Sequence, residues 1–315
     1  MSVLVVGSGL IGTQIAKLFL DAGDDTAVYD ISPQLGAMSE VIDVSKIKVI
    51  RGDLLDLPYL VSTVKENHVD TIIHTVAVFP GALTRNMYNG IRINTDGTLN
   101  VLEAARLLDI KRVIFSSSLA VYWRDTPEAS FDEETTPTKP VTLYGATKLM
   151  GEYAGANYSK TYGLDFRVAR FANVIGPWRG DIQTHNGIFI NELLDAAVNG
   201  KQLHIENPYP LILDADWIYS KDLARGVFLL SRKSDLRSKT FNLGMGKMSK
   251  VEEILESIRE IIPGAKLTLG EATPLPTRPM KIQRSKEELQ WEPKYDIRSM
   301  MREMVDWYRA RGSTV

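Results

Sequence analysis

Tyr144 and Lys148, in Tyr-Gly-Ala-Thr-Lys, stand four residues apart, and Ser118 closes the serine run Ser116-Ser117-Ser118 upstream of them. On a helix the phenol and the ammonium would share a face about one turn apart. A phenol is a poor base at neutral pH, but an adjacent ammonium and a positively charged nicotinamide both favour the phenolate. With the Ser118 hydroxyl, such a pair could take or return one proton at a carbinol while a hydride leaves the same carbon. The spacing alone says little; its weight comes from what precedes it.

The chain opens with a short apolar run, residues 3–6, which stops at Gly7-Ser8-Gly9-Leu10-Ile11-Gly12. This is the pattern of a buried strand turning into a helix around a pyrophosphate. Gly7 makes the tight turn, Gly9 lets backbone approach the anion, and Gly12 lets helix and strand pack closely. The helix N-terminus then faces the phosphates. Asp30 follows at the end of the next strand, where a carboxylate accepts from the adenosine ribose hydroxyls. A 2′-phosphate would meet like charge there, and residues 31–35 hold no arginine to offset it. NAD is therefore expected rather than NADP, with Asp53 after the third strand as a candidate adenine contact.

Positioning these groups requires alternating elements. Strands are expected at 3–6, 26–30, 47–50, 71–77, 112–116 and 165–171, and helices at 14–20, 58–66, 95–108 and 143–162. That alternation predicts an α/β Rossmann-type doubly wound parallel sheet. Past Gly176-Pro177 it weakens. Short strands are expected at 217–219 and 240–243, a Ser249/Glu252 capping box opens a helix to 262, and Asp296 caps the last helix. The reading is a NAD-binding domain of residues 1–175, with 214–247 returning to it, and a smaller interleaved substrate-binding lobe of 176–213 and 248–315.

Composition removes several classes. With 37 basic and 39 acidic residues the formal net charge is −2, and no basic run supports nucleic-acid or membrane-surface binding. The absence of cysteine excludes disulfides and thiolate nucleophiles and fits a reducing cytoplasm. His68, His74, His185 and His204 never fall at metal-ligand spacing, so no metal is expected. No apolar run approaches the roughly 20 residues of a membrane span.

Together these segments resemble the extended short-chain dehydrogenase/reductase family, also called the NAD-dependent epimerase/dehydratase family. The likeness is carried by His74-Thr-Val-Ala77, Asn94-Thr-Asp-Gly97-Thr98, Ser116 through Tyr122, Tyr144 through Lys148, Arg170-Phe-Ala-Asn173, Trp217 through Ala224, Phe241-Asn-Leu-Gly244 and Arg278-Pro279. The resemblance implies that Ser118 orients the substrate hydroxyl, Tyr144 is the acid/base, and Lys148 holds the nicotinamide ribose. It also implies cofactor contacts from Gly7, Gly9, Leu10, Ile11, Gly12, Asp30, Ile31, Asp53, Leu54, Val76, Ala77, Asn94, Ser116 and Phe171, and substrate contacts from Asn173 and Arg278. A homodimer through the helices near 95–108 and 143–162 follows in the same way. Two departures stand out: the glycine loop is one residue shorter than the family's usual one, and Trp123, replacing a glycine, is expected to narrow the site.

The resemblance also sorts reactions. Family members that dehydrate or decarboxylate sugars carry acidic residues just after the catalytic serine or threonine, whereas this chain has Leu119 and Ala120. Plain hydride chemistry remains: dehydrogenation, reduction or 4-epimerisation. Nucleotide-sugar enzymes usually place an arginine before the segment matching Asp216-Trp217; here Glu206 through Asp214 offers none, leaving Arg278 and an unplaced Arg179. A small, polar or sugar-like hydroxy or keto substrate is therefore preferred. The alternatives are a UDP-sugar 4-epimerase with retained NAD and, in another class, a non-catalytic NAD-sensing regulator. Thr184, His185 and Asn186 are further candidate polar groups of the lobe.

Overall fold

The computed structural model describes residues 1–182 and 184–310. Seven strands form one parallel sheet: β1 Ser2–Val6, β2 Asp25–Asp30, β3 Lys48–Arg51, β4 Thr71–His74, β5 Arg112–Ser118, β6 Asp165–Phe171 and β7 Thr240–Leu243. Their spatial order is β7-β6-β5-β4-β1-β2-β3. The β1 side chains alternate between two buried clusters. Val3 and Val5 pack with Ile15 and Phe19 of the helix Leu10–Asp21, while Leu4 and Val6 pack with Val101 and Leu102 of the helix Met87–Leu107. Apolar residues at both parities are what a strand covered by helices on both faces requires.

From β1 the chain proceeds outward through β2 and β3, and from β4 it proceeds outward the other way. The reversal between β1 and β4 opens a crevice beyond the carboxyl ends of those strands, where open α/β sheets bind ligands. A third cluster, including Phe189, Leu193, Trp217, Ile254, Met300 and Met304, packs the helices His185–Val198, Val251–Ile261 and Ile297–Ala310 on one another beside the sheet. Among the described residues, no helix is long and apolar enough to cross a membrane.

Several boundaries differ from the sequence reading for local reasons. The helix expected from 95 starts at Met87, because the Asn86 side chain caps it by accepting from the Asn89 amide at 3.2 Å. β4 ends at His74 rather than 77: Thr75 Oγ1 donates back to the Val6 carbonyl at 2.9 Å, and the chain turns across the sheet's end. The capping pair near 250 is shifted by one residue, with Glu253 accepting from the Lys250 amide at 3.2 Å. Asp296 caps the last helix as expected, accepting from the Ser299 amide at 2.8 Å.

Candidate active site

Gly7 sits in the left-handed region at φ +109°, and a Cβ on Gly12 would stand 1.9 Å from the Gly7 carbonyl oxygen. Only glycine permits the turn and the close seat of the Leu10–Asp21 helix upon it. The Asp30 carboxylate is pinned beside this turn, accepting from the Ser8 amide at 2.7 Å and the Ser32 amide at 2.8 Å. Ionised, it keeps spare acceptor sites for a pair of hydroxyls.

The other end of the site is built by β5 and the helix Leu143–Tyr162. Thr142 caps that helix, accepting from the Gly145 amide at 3.1 Å. A Cβ on Gly145 would lie 2.2 Å from the Ala120 carbonyl oxygen, so the helix packs directly on the turn Leu119–Val121 that follows Ser118. This approach sets the Tyr144 phenol and the Ser118 hydroxyl on the wall of the same cavity. Phe79 stacks on the Tyr144 ring, centroids 5.6 Å apart. Lys148, 4% exposed, donates to the Ser116 carbonyl at 2.8 Å and lies 5.9 Å from the Tyr144 ring centroid.

The electrostatics qualify the sequence reading. Burial pushes the Tyr144 phenol well above its ordinary range, opposed by the Ser118 hydrogen bond. Burial also pushes Lys148 down to about 7, against the raising influence of Glu152. An acidic phenol is thus not a standing property of the protein alone, because the low-dielectric surroundings disfavour both charged forms. A cation entering beside Tyr144 would be needed to favour the phenolate.

One cavity of about 590 Å³ joins the two ends. Gly7, Gly9, Leu10, Ile11, Gly12, Asp30, Ile31, Asp53, Leu54, Val76, Ala77, Ser116, Ser118, Tyr144, Lys148, Phe171 and Asn173 all line it. Its wall includes the Ser116 hydroxyl, buried without a hydrogen-bond partner. An elongated polyphosphate ligand fits: a glycine cradle for pyrophosphate, a carboxylate for ribose, and an unsatisfied hydroxyl toward the Tyr144 end.

Two expected contacts lie elsewhere. Asn94 is behind the wall, its amide accepting from the Val78 amide at 2.7 Å and donating to Val78 O and Thr147 Oγ1, so it clamps the loop after β4 to the Tyr144 helix. Arg278 is turned away, donating to the Glu128 and Thr277 carbonyls at 3.0 and 2.9 Å. Trp123 does not line the cavity either; its ring lies under Lys139, 5.4 Å away. Arg179 stacks over Trp307 and Tyr308 in the lobe.

Thr184, His185 and Asn186 do line the cavity, with Asn186 donating to Asn173 Oδ1 at 2.9 Å and His185 stacked 4.4 Å from Tyr209. Residues missed by sequence reasoning include Tyr29, Gln34, Phe79, Arg124, Trp178, Asp181, Asn191 and Tyr209. Arg124 had a signal, since it lies just beyond the turn carrying Ser118. The lobe residues had none, because their approach depends on tertiary packing. Sequence reasoning also missed Arg51, which pairs with Asp30 across β2 and β3 while its Nε donates to Ile31 O at 3.1 Å.

Fold and cavity define a dinucleotide-binding α/β protein with a serine, a tyrosine and a lysine gathered at the far end of the dinucleotide crevice. The chain belongs to the NAD dependent epimerase/dehydratase family, whose model matches residues 3–244. It is an enzyme of that family, and NAD is its cofactor. It is 27% identical to a UDP-glucose 4-epimerase of Halalkalibacterium halodurans, covering 98% of this chain and 96% of that protein. It is 28% identical to a UDP-glucose 4-epimerase of Lacticaseibacillus casei, covering 94% and 93%. The UDP-glucose 4-epimerase of Thermus thermophilus in complex with NAD shares its fold, with TM-score 0.86 at 24% identity over 99% of this chain and 100% of that one.

Replacing Asp30 with Ser is expected to weaken NAD by roughly ten-fold or more, since charge-assisted hydrogen bonds contribute about 1.5–3 kcal/mol. With Arg51 opposite, the same change should raise acceptance of NADP. The ratio of KM values for the two cofactors measures both effects; an unchanged ratio would remove Asp30 from the cofactor site.

Proposed function

We propose that this protein is an NAD-dependent oxidoreductase that transfers hydride reversibly at a secondary alcohol or ketone carbon of a small polar or sugar-like substrate. The observation that carries the proposal is that Ser118, Tyr144 and Lys148 line one end of the same cavity whose other end holds the glycine turn and Asp30. When bound, NAD supplies the hydride acceptor and a positive charge. Tyr144 takes the carbinol proton in oxidation and returns it in reduction. Ser118 holds the substrate oxygen against that phenol. Lys148 orients the ribose and, when charged, lowers the cost of the phenolate. Gly7, Gly9 and Gly12 seat the pyrophosphate, Asp30 the adenosine ribose, and Asn173 faces the substrate.

Residues 1–175 with 214–247 are proposed as the cofactor half, and 176–213 with 248–315 as the substrate half. The cores interleave more finely than these limits: Trp217 and Tyr219 pack in the lobe cluster, while Met280, Leu289 and Trp291 pack under the sheet. A homodimer is proposed through the helices Met87–Leu107 and Leu143–Tyr162, which leave Leu99, Leu107, Tyr153 and Tyr162 exposed. Large exposed apolar side chains on neighbouring helices suit an interface.

The second reading is a UDP-sugar 4-epimerase that retains NAD through its cycle. It is favoured by relatives of that activity matching nearly the whole chain. It is disfavoured by the place where a diphosphate would need cations, since Asp214 and Ala215 precede Asp216 and Arg278 is turned away. Native mass spectrometry of the protein as purified addresses these readings together. The expected species is a dimer without a nucleotide diphosphate; a monomer would remove the proposed interface, and a retained nucleotide diphosphate would overturn the small substrate. NADH formation at 340 nm with a panel of secondary alcohols completes the test.

A further inference from the structure

We infer that Arg124 is the receptor for a carboxylate on the substrate, so that the compound oxidised is a hydroxy acid with its acid group held on the Ser118 side of the cavity. The inference rests on the small-substrate reading above and deepens it.

Arg124 is the only arginine among the described residues lining the cavity, and no hydrogen bond or ion pair engages its guanidinium among them. The chain that carries it is held at fixed points. Ser118 Oγ accepts from the Ala120 amide at 3.2 Å, the Trp123 amide donates to the Pro137 carbonyl at 2.9 Å, and the Thr126 amide donates to the Trp123 carbonyl at 3.3 Å. The guanidinium therefore projects from the same short segment that supplies Ser118 and Ala120 to the wall. The other lining cation, Lys148, is buried and committed to Ser116 O.

Of the acidic lining residues, Asp30 and Asp53 sit at the glycine-turn end and are occupied with amides, Asp53 accepting from the Leu55 amide at 2.9 Å, while Asp181 lies beside Gln34, its amide donating to Gln34 Oε1 at 2.5 Å. A half-buried guanidinium on a cavity wall recognises a planar oxyanion through two parallel hydrogen bonds. Elsewhere on the wall, Asn173 bonded to Asn186 and His185 stacked on Tyr209 offer hydrogen-bonding groups for substrate hydroxyls.

The test compares the intact protein with Arg124→Gln and Arg124→Lys, using NAD and matched pairs of secondary alcohols. Suitable probes are 3-hydroxybutanoate and gluconate against the methyl ester of the first and the neutral alditol of the second, with UDP-glucose as a separate arm. The expected result is a kcat/KM for the acid at least 100-fold above its neutral partner, carried mainly by KM. In R124Q that ratio should collapse toward one, and in R124K it should be partly kept, with NAD binding showing that both variants are folded. Turnover of an acid with a ratio untouched in R124Q overturns the assignment, as does preference for the neutral partner. If UDP-glucose is converted and its KM rises in R124Q, the anion is a diphosphate and the carboxylate is refuted. Absence of NADH from every alcohol, together with conversion of UDP-glucose, instead removes the small-substrate reading on which the inference stands.

Discussion

Tyr144→Phe is expected to lower kcat by about 10³-fold while NAD affinity changes by no more than a few-fold. The substitution deletes one oxygen and keeps the ring, including its stack on Phe79. The proton handled at that oxygen has no substitute nearby. Ser118 holds its own proton tightly, Leu119 and Ala120 cannot titrate, and Lys148 is tied to the Ser116 carbonyl. General acid–base groups contribute roughly 10²–10⁴-fold, which sets the magnitude. Because burial raises the phenol, alcohol oxidation should accelerate with rising pH up to about 7, where Lys148 keeps its charge, as more of the Tyr144 population reaches the phenolate once the positively charged cofactor is bound. Ketone reduction needs the phenol protonated and should lack that dependence on Tyr144. Steady-state turnover beside a direct titration of NAD binding separates the effects; kcat within ten-fold of the unsubstituted enzyme would take Tyr144 out of the chemistry.

The cofactor half of the site was legible in the sequence because its physics is local. Gly7, Gly9 and Gly12 are required by a turn of six residues around an anion, and Asp30 by the strand that follows; the structure gives Gly7 and Gly12 the crowding that excludes a Cβ, while the space above Gly9 is open. The helix Leu143–Tyr162 was readable for the same reason, lying between its Thr142 cap and Gly163, which is left-handed at φ +75°.

What escaped was set by packing between distant segments. Asn94 and Arg278 have the residue types of ligand contacts, yet Asn94 spends its hydrogen bonds on the Val78 backbone and Thr147 Oγ1 and Arg278 donates to the Glu128 and Thr277 carbonyls, and nothing in their local sequence distinguishes the two uses. Arg51 stands opposite Asp30 only because β3 pairs with β2. Spacing also carries no information on burial, which disfavours the charged forms of both Tyr144 and Lys148 and leaves the expected acidity of the phenol to the cation of the bound cofactor.

Glu152→Gln is expected to destabilise the enzyme by about 3–5 kcal/mol and to disturb Lys148 as well. Glu152 lies one turn beyond Lys148, 9% exposed, and its two oxygens accept from Arg170 at 3.0 and 2.7 Å and from Ser117 at 2.5 Å. Arg170, 5% exposed, also lies over the Tyr122 ring at 4.7 Å. Neutralising the carboxylate leaves a buried guanidinium without its counter-charge, the costly way to break an internal ion pair. The melting temperature should fall by on the order of 10 °C. The same carboxylate opposes the depression of Lys148, so its loss should carry that ammonium still further below about 7.

The sign follows from the roles proposed above. Ketone reduction needs Tyr144 protonated, which burial favours, and Lys148 charged, so kcat/KM should decline as pH rises through about 7, and in the variant the decline should begin at lower pH. A purely structural Glu152 would lower stability and leave that limb in place. Thermal unfolding and the pH dependence of kcat/KM for reduction therefore distinguish a scaffold residue from one that sets the charge of Lys148.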